Sequence, residues 1–277
     1  MRKPNKLGNI ELSDGWSFVT RSKGGRPRKD KTPSSHEASG PDLPALAADV
    51  SRITEEIERN LSKFEDSSCA AALDTVVASS QPGSMETALC LGLGSLGPEP
   101  TMATRRSMTQ FTVFLWLLKH LFTTGVDNDV RILAVDPSFT STDKAVLEHF
   151  GVATAAKALH NQFTPKDCFF FAPYLPWPVL TLDYLSRNTE RPKVIVCQDL
   201  KSVRENLELR RLEMASERAV INIYGRDCTR KDVDLAIDVC QEMVEKFNTT
   251  AFPPYDNFAE AFQNLAIYMT MKTEEAE

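Results

Sequence analysis

Histidine is scarce in this sequence: four in 277 residues, at positions 36, 120, 149 and 160. None stands in a Ser/His or Cys/His pattern, so nothing points to nucleophilic catalysis, and no catalytic residue is assigned. His149 precedes a helix-ending glycine, a place where the helix dipole favours a cation. The six cysteines, at 69, 90, 168, 197, 228 and 240, form no Cys-x-x-Cys pair and gather no histidines, which excludes a recognisable zinc motif. Cys90, Cys168 and Cys197 fall inside apolar strand-like runs, as buried, reduced core residues in a reducing compartment do. Long apolar runs are missing too. The longest, Phe111 to Leu118, stops at Lys119-His120 and is too short to cross a bilayer. The charged N-terminus lacks the apolar core of a secretory signal. The expectation is a soluble protein of cytoplasm and nucleus with no membrane partner.

Charge is unevenly placed. Residues 1–31 carry nine Lys/Arg against three Asp/Glu, a net of +6, and the remainder carries a net of −12. Any polyanion should therefore meet the arm and not the body. Residues 1–45, rich in Lys, Arg, Gly, Pro, Ser and Asp, read as a disordered basic tail. Within it Trp16-Ser17-Phe18-Val19 forms a small apolar island. Lys23-Gly24-Gly25-Arg26-Pro27-Arg28-Lys29 resembles an AT-hook, in which Arg26, Arg28 and Lys29 would enter an A·T minor groove. A solvated basic tail or a nuclear import signal fits the same residues.

The ordered part is organised around Ala88-Leu89-Cys90-Leu91-Gly92-Leu93-Gly94-Ser95-Leu96-Gly97. A short apolar run enters three glycines and a long apolar helical pattern follows, which reads as buried strand, tight turn, helix. The spacing Gly92-x-Gly94-x-x-Gly97 matches the dinucleotide-binding fingerprint. Pro98 and Pro100 bring no backbone N–H, postpone the helix to about Ala103 and weaken a NAD reading. They suit the looser turn of S-adenosylmethionine methyltransferases.

Residues 46–85 read as a helix, with Leu46, Val50, Ile53, Ile57 and Leu61 at three- and four-residue steps, then a linker. A helix over 104–122, apolar nearly all round, carries Gln110 near the glycine turn, as a ligand contact or as a polar residue at a helix end. Strand two, Val130–Val135, ends at Asp136-Pro137, where a carboxylate either holds ribose hydroxyls or caps the next turn. Ser141-Thr142-Asp143 starts another helix, which Gly151 ends. A short strand, Val152–Ala155, follows. Strand four, Cys168–Ala172, is continuously apolar and opens into Pro173-Tyr174-Leu175-Pro176-Trp177-Pro178, where Tyr174 and Trp177 are positioned to wall a pocket. A helix follows through Leu185. Strand five, Lys193–Cys197, ends at Gln198-Asp199, and a charged helix follows over about 203–214. Ala219–Tyr224 reads as strand six, Asp227 or Thr229 caps a last long helix, and Phe258–Met271 reads as an amphipathic cover for an edge. Residues 86–271 are thus expected to be an α/β domain: a Rossmann-like, doubly wound, mostly parallel sheet of about six strands with helices on both faces. Residues 272–277 are a C-terminal tail.

These residues resemble the SRR1-like proteins. The resemblance rests on Leu91-Gly92-Leu93-Gly94-Ser95, Gln110, Asp136-Pro137-Ser138-Phe139, Leu147 to Gly151, Ala172-Pro173-Tyr174 and Ala261-Phe262-Gln263-Asn264. Trp16 followed by the basic tract to Lys31 belongs to it too. Two positions depart from that family's usual pattern: Pro173-Tyr174-Leu175 replaces Pro-His-Cys, and Cys197-Gln198-Asp199 replaces Gly-Asn-Ser. The resemblance implies a regulator of the light and circadian signalling type, with no established reaction.

Two functions remain open. One is a regulatory, non-catalytic protein acting through unidentified protein partners or a small-ligand pocket at Gly92, Gly94, Ser95, Gly97, Gln110, Asp136, Pro137, Pro173, Tyr174 and Gln198. The other is an enzyme using that pocket with S-adenosylmethionine or a nucleotide as cofactor, such as a methyltransferase. Against the second, Ala172-Pro173-Tyr174-Leu175 is not the Asn/Asp-Pro-Pro-Tyr/Phe motif of base methylases.

Overall fold

A computed structural model of the chain describes residues 43–80, 83–97, 99–122, 130–155, 165–187, 190–214, 216 and 219–270. The basic tract with Arg26, Arg28 and Lys29, Pro98, the loop at 125–129 and the tail at 272–277 lie outside them.

The centre is a seven-stranded sheet. Its strands are β1 (Thr87–Leu91), β2 (Arg131–Val135), β3 (Ala153–Thr154), β4 (Cys168–Ala172), β5 (Val194–Gln198), β8 (Phe247–Ala251) and β9 (Leu265–Thr270), in the order β3-β2-β1-β4-β5-β9-β8. β9 is antiparallel to both β5 and β8, and β1 to β5 pair in parallel. β8 therefore runs with the first five strands, and β9 alone is reversed. Every residue of β1 and β4 is buried, as a central parallel strand covered on both faces requires.

Alternation along the strands divides the core. Ala88, Cys90, Phe169, Phe171, Val194 and Val196 face one layer, and Leu89, Leu91, Phe170, Ala172, Ile195 and Cys197 face the other. The first layer holds α1 (Leu43–Glu65), α2 (Ser68–Ser80), α3 (Met102–Leu121) and α4 (Ser141–His149). In α3, Phe114 lies 5.9 Å from Phe169 and 5.5 Å from Phe171, ring centre to ring centre. In α1, Phe64 meets Trp116 and Tyr255 edge-on at 5.7 and 5.2 Å. The second layer holds a widened helical segment, Pro178–Leu185, with α5 (Leu200–Glu213) and α6 (Arg230–Lys246). That segment closes on an i→i−5 bond, Ser186 N–H to Thr181 O at 2.7 Å.

Four elements differ from the sequence reading. Val220–Ile223 (β6) is not in the main sheet; it turns back through Tyr224-Gly225, with φ of +50° and +75°, to pair with Arg226–Thr229 (β7). Two consecutive residues of positive φ make the tight hairpin turn that folds a strand onto its neighbour in sequence. The sixth parallel strand is β8, directly after α6. The expected cover over 258–271 is a 3₁₀ turn, Asp256–Ala261, followed by β9, whose residues 265–269 are all buried between β5 and β8. The linker contains α2, which buries Cys69, Ala70 and Leu73. The cap of α4 falls one residue earlier than read, on Thr140, with Asp143 completing a capping box; Thr229 and Asp232 do the same for α6.

Among the described residues no helix is long and apolar enough to cross a membrane. All six thiols are free and buried. Burial pushes Cys69, Cys168 and Cys240 up to about 12 and raises Cys90, Cys197 and Cys228 as well. A thiol reagent at about pH 8 should therefore find no fast-reacting cysteine in the folded protein and all six after unfolding. A rapid native-state phase would sink the burial of at least one of them.

Candidate functional site

The sheet order reverses between β1 and β4: the chain builds outward from β1 through β2 and β3, then crosses back to β4. In open α/β sheets that switch point, at the carboxyl ends of the strands, is where ligands bind. The loops meeting there are the glycine turn after β1, Asp136-Pro137 after β2 and Pro173–Trp177 after β4.

The glycine turn is pressed from two sides. Gly92 has φ of +67°, and a Cβ on it would lie 2.9 Å from Leu175 Cδ1. Gly94 has φ of +78°, and a Cβ there would lie 2.8 Å from Ser107 Oγ of α3. Both need glycine for conformation and for room. The close approach is made by the protein's own Leu175 and Ser107.

Four N–H groups of the turn are also taken internally. Gly92 donates to Val135 O at 3.0 Å and Gly94 to Asp136 Oδ2 at 2.7 Å. Leu96 donates to Asp143 Oδ1 at 2.7 Å and Gly97 to Ser95 Oγ at 3.0 Å. Asp136 accepts with its other oxygen from Ser138 N–H and hydroxyl at 2.8 and 2.6 Å, closing a turn around Pro137. Asp143 is fully buried and accepts from the Ser95 hydroxyl at 2.9 Å and from Thr140 N–H and hydroxyl at 2.7 and 2.8 Å. One carboxylate thus caps α4 and holds the glycine turn. Two carboxylates already occupy the Gly94 and Leu96 N–H groups, so a phosphate placed there meets like charge.

The remaining candidates look elsewhere. Gln110, 2 % exposed, donates from Nε2 to Ala261 O at 3.1 Å. The Tyr174 hydroxyl donates to Glu260 O at 2.9 Å, with Gln263 O at 3.3 Å, and burial raises the phenol above its ordinary range. The Arg106 guanidinium lies 5.4 Å from the Tyr174 ring centre and that of Arg105 lies 5.0 Å from Phe258. Gln110 and Tyr174 therefore clasp the strap between β8 and β9. Pro173 is buried beneath Tyr174's loop, and Gln198 pairs in register with Leu265 of β9. Beside it, Asp199 caps α5. Burial works against its charge, but hydrogen bonds from Ser202, Lys201 and the Tyr268 hydroxyl hold it below the usual carboxylate range. So Gly92, Gly94, Ser95, Gly97, Asp136 and Pro137 gather at the crevice, while Gln110, Tyr174 and Gln198 serve the strap and β9. Asp143 was legible in the sequence only as a helix-cap residue, and Leu175 only as a departure from Pro-His-Cys. Among the described residues no group of three or more His, Cys, Asp and Glu side chains is placed to hold a metal.

A family model described as the SRR1 domain matches residues 53–269. No curated protein matches the chain. Solved structures that the chain matches include three. Cofactor-bound Rv0187 from MTB is 17 % identical, covers 83 % of this chain and 90 % of its own, and gives a TM-score of 0.37. An O-methyltransferase from Bacillus cereus in complex with SAH is 13 % identical over 85 % and 94 %, with a TM-score of 0.39. The O-methyltransferase TomG from Streptomyces achromogenes, in complex with SAM, is 11 % identical over 79 % and 89 %, also at 0.39.

Asp143→Ala should cost about 3 kcal/mol, because it leaves the buried Leu96 N–H and the Ser95 and Thr140 donors without their acceptor. For a domain of this size that lowers the melting midpoint by roughly 6–12 °C. Asp136→Asn, at a half-buried position, should cost about 1 kcal/mol. Equal losses in a thermal melt would contradict the keystone role given to Asp143. Tyr174→Phe should speed amide exchange in residues 256–264 while leaving β1 and β4 protected, measured by hydrogen exchange.

Proposed function

Because the chain belongs to the SRR1 domain family, we propose that it is a regulatory protein that works through protein partners and not through catalysis at the glycine crevice. The observation that carries this reading is that four N–H groups of the glycine turn already have acceptors inside the protein. Gly92, Gly94, Leu96 and Gly97 all donate to acceptors of the protein itself, two of them carboxylates. Leu175 adds to it: the departure from Pro-His-Cys falls where the β4 loop lies on Gly92. The motif then serves as a structural knot joining β1, β2, α3 and α4. The signalling role of the circadian type and residence in cytoplasm and nucleus follow from the resemblance, as does partner binding. The arm over 23–31 supplies the basic residues that DNA contact would need.

A second reading, an S-adenosylmethionine-type or other nucleotide cofactor used by an enzyme such as a methyltransferase, is favoured by one observation. Asp136 ends β2 beside the switch point, 2.7 Å from the Gly94 N–H, where a ribose diol would be held.

A thermal-shift panel on purified protein separates the two. The ligands are S-adenosylmethionine, S-adenosylhomocysteine, NAD(H), NADP(H), ATP and FAD. A ligand at 100 times its Kd adds about 2.7 kcal/mol, which moves the midpoint of a domain this size by roughly 5–10 °C. The proposal expects no shift. A shift with one ligand that disappears in Asp136→Ala would establish the second reading instead.

A further inference from the structure

We draw no further inference here: the strongest candidate, the uncharged outer edge of β8, pairs with β9 alone among the described residues, and nothing in the structure shows what covers it.

Discussion

A buried backbone amide must find an acceptor, and the glycine turn after β1 presents several at once. Two of its acceptors are carboxylates from different parts of the chain: Asp136 at the end of β2 and Asp143 in the first turn of α4. Asp143 is fully enclosed, and every donor around it is spoken for: Leu96, the Ser95 hydroxyl, and both groups of Thr140. That single group fixes the start of α4, the path of the glycine turn and so the distance between β1 and α3. A buried carboxylate held this way resists replacement, because removing it strands the buried Leu96 N–H without an acceptor.

The same economy recurs at the switch point. Here Leu175 lies on Gly92, and Tyr174, one residue earlier, anchors the strap between β8 and β9. Gln110 grips the strap at Ala261 from α3. The C-terminal hairpin is therefore tied to the middle of the domain by side chains whose residue types alone would suit a binding site. Tyr268 continues the tie on the other side of the sheet, its hydroxyl accepting from Leu200 N–H and donating a hydrogen bond to Asp199.

Much of this was legible in advance, for reasons that differ by element. β1, β4 and β5 were readable because a strand buried on both faces must be continuously apolar. α1 and α6 were readable because a helix covering a sheet repeats its apolar residues at three- and four-residue steps. α2 was not, since Ser68–Ser80 is small and nearly uniform in polarity, leaving no period to detect. β6 misled because Ala219–Tyr224 has the composition of a sheet strand. What sends it back on itself is a backbone conformation at Tyr224 and Gly225, and composition does not encode that for tyrosine. β8 was hidden in Phe-Asn-Thr-Thr-Ala, whose exposed edge position removes the apolar signature.

The sequence by itself determined that a glycine turn follows a buried strand, that a carboxylate closes the second strand, and that helices alternate with strands to make a layered α/β domain. These follow from local chemistry: φ freedom at glycine, apolar periodicity and capping residues within a few positions of one another. Only the tertiary structure decided which partners those groups took. Asp143 lies 47 residues from Leu96, and Tyr174 lies 86 from Glu260; hydrogen bonds between them depend on how the sheet is ordered. The order β5-β9-β8, with β9 inserted in reverse, is likewise a property of the assembled sheet. A residue's type limits what it can bond to, and the fold alone determines what lies within reach.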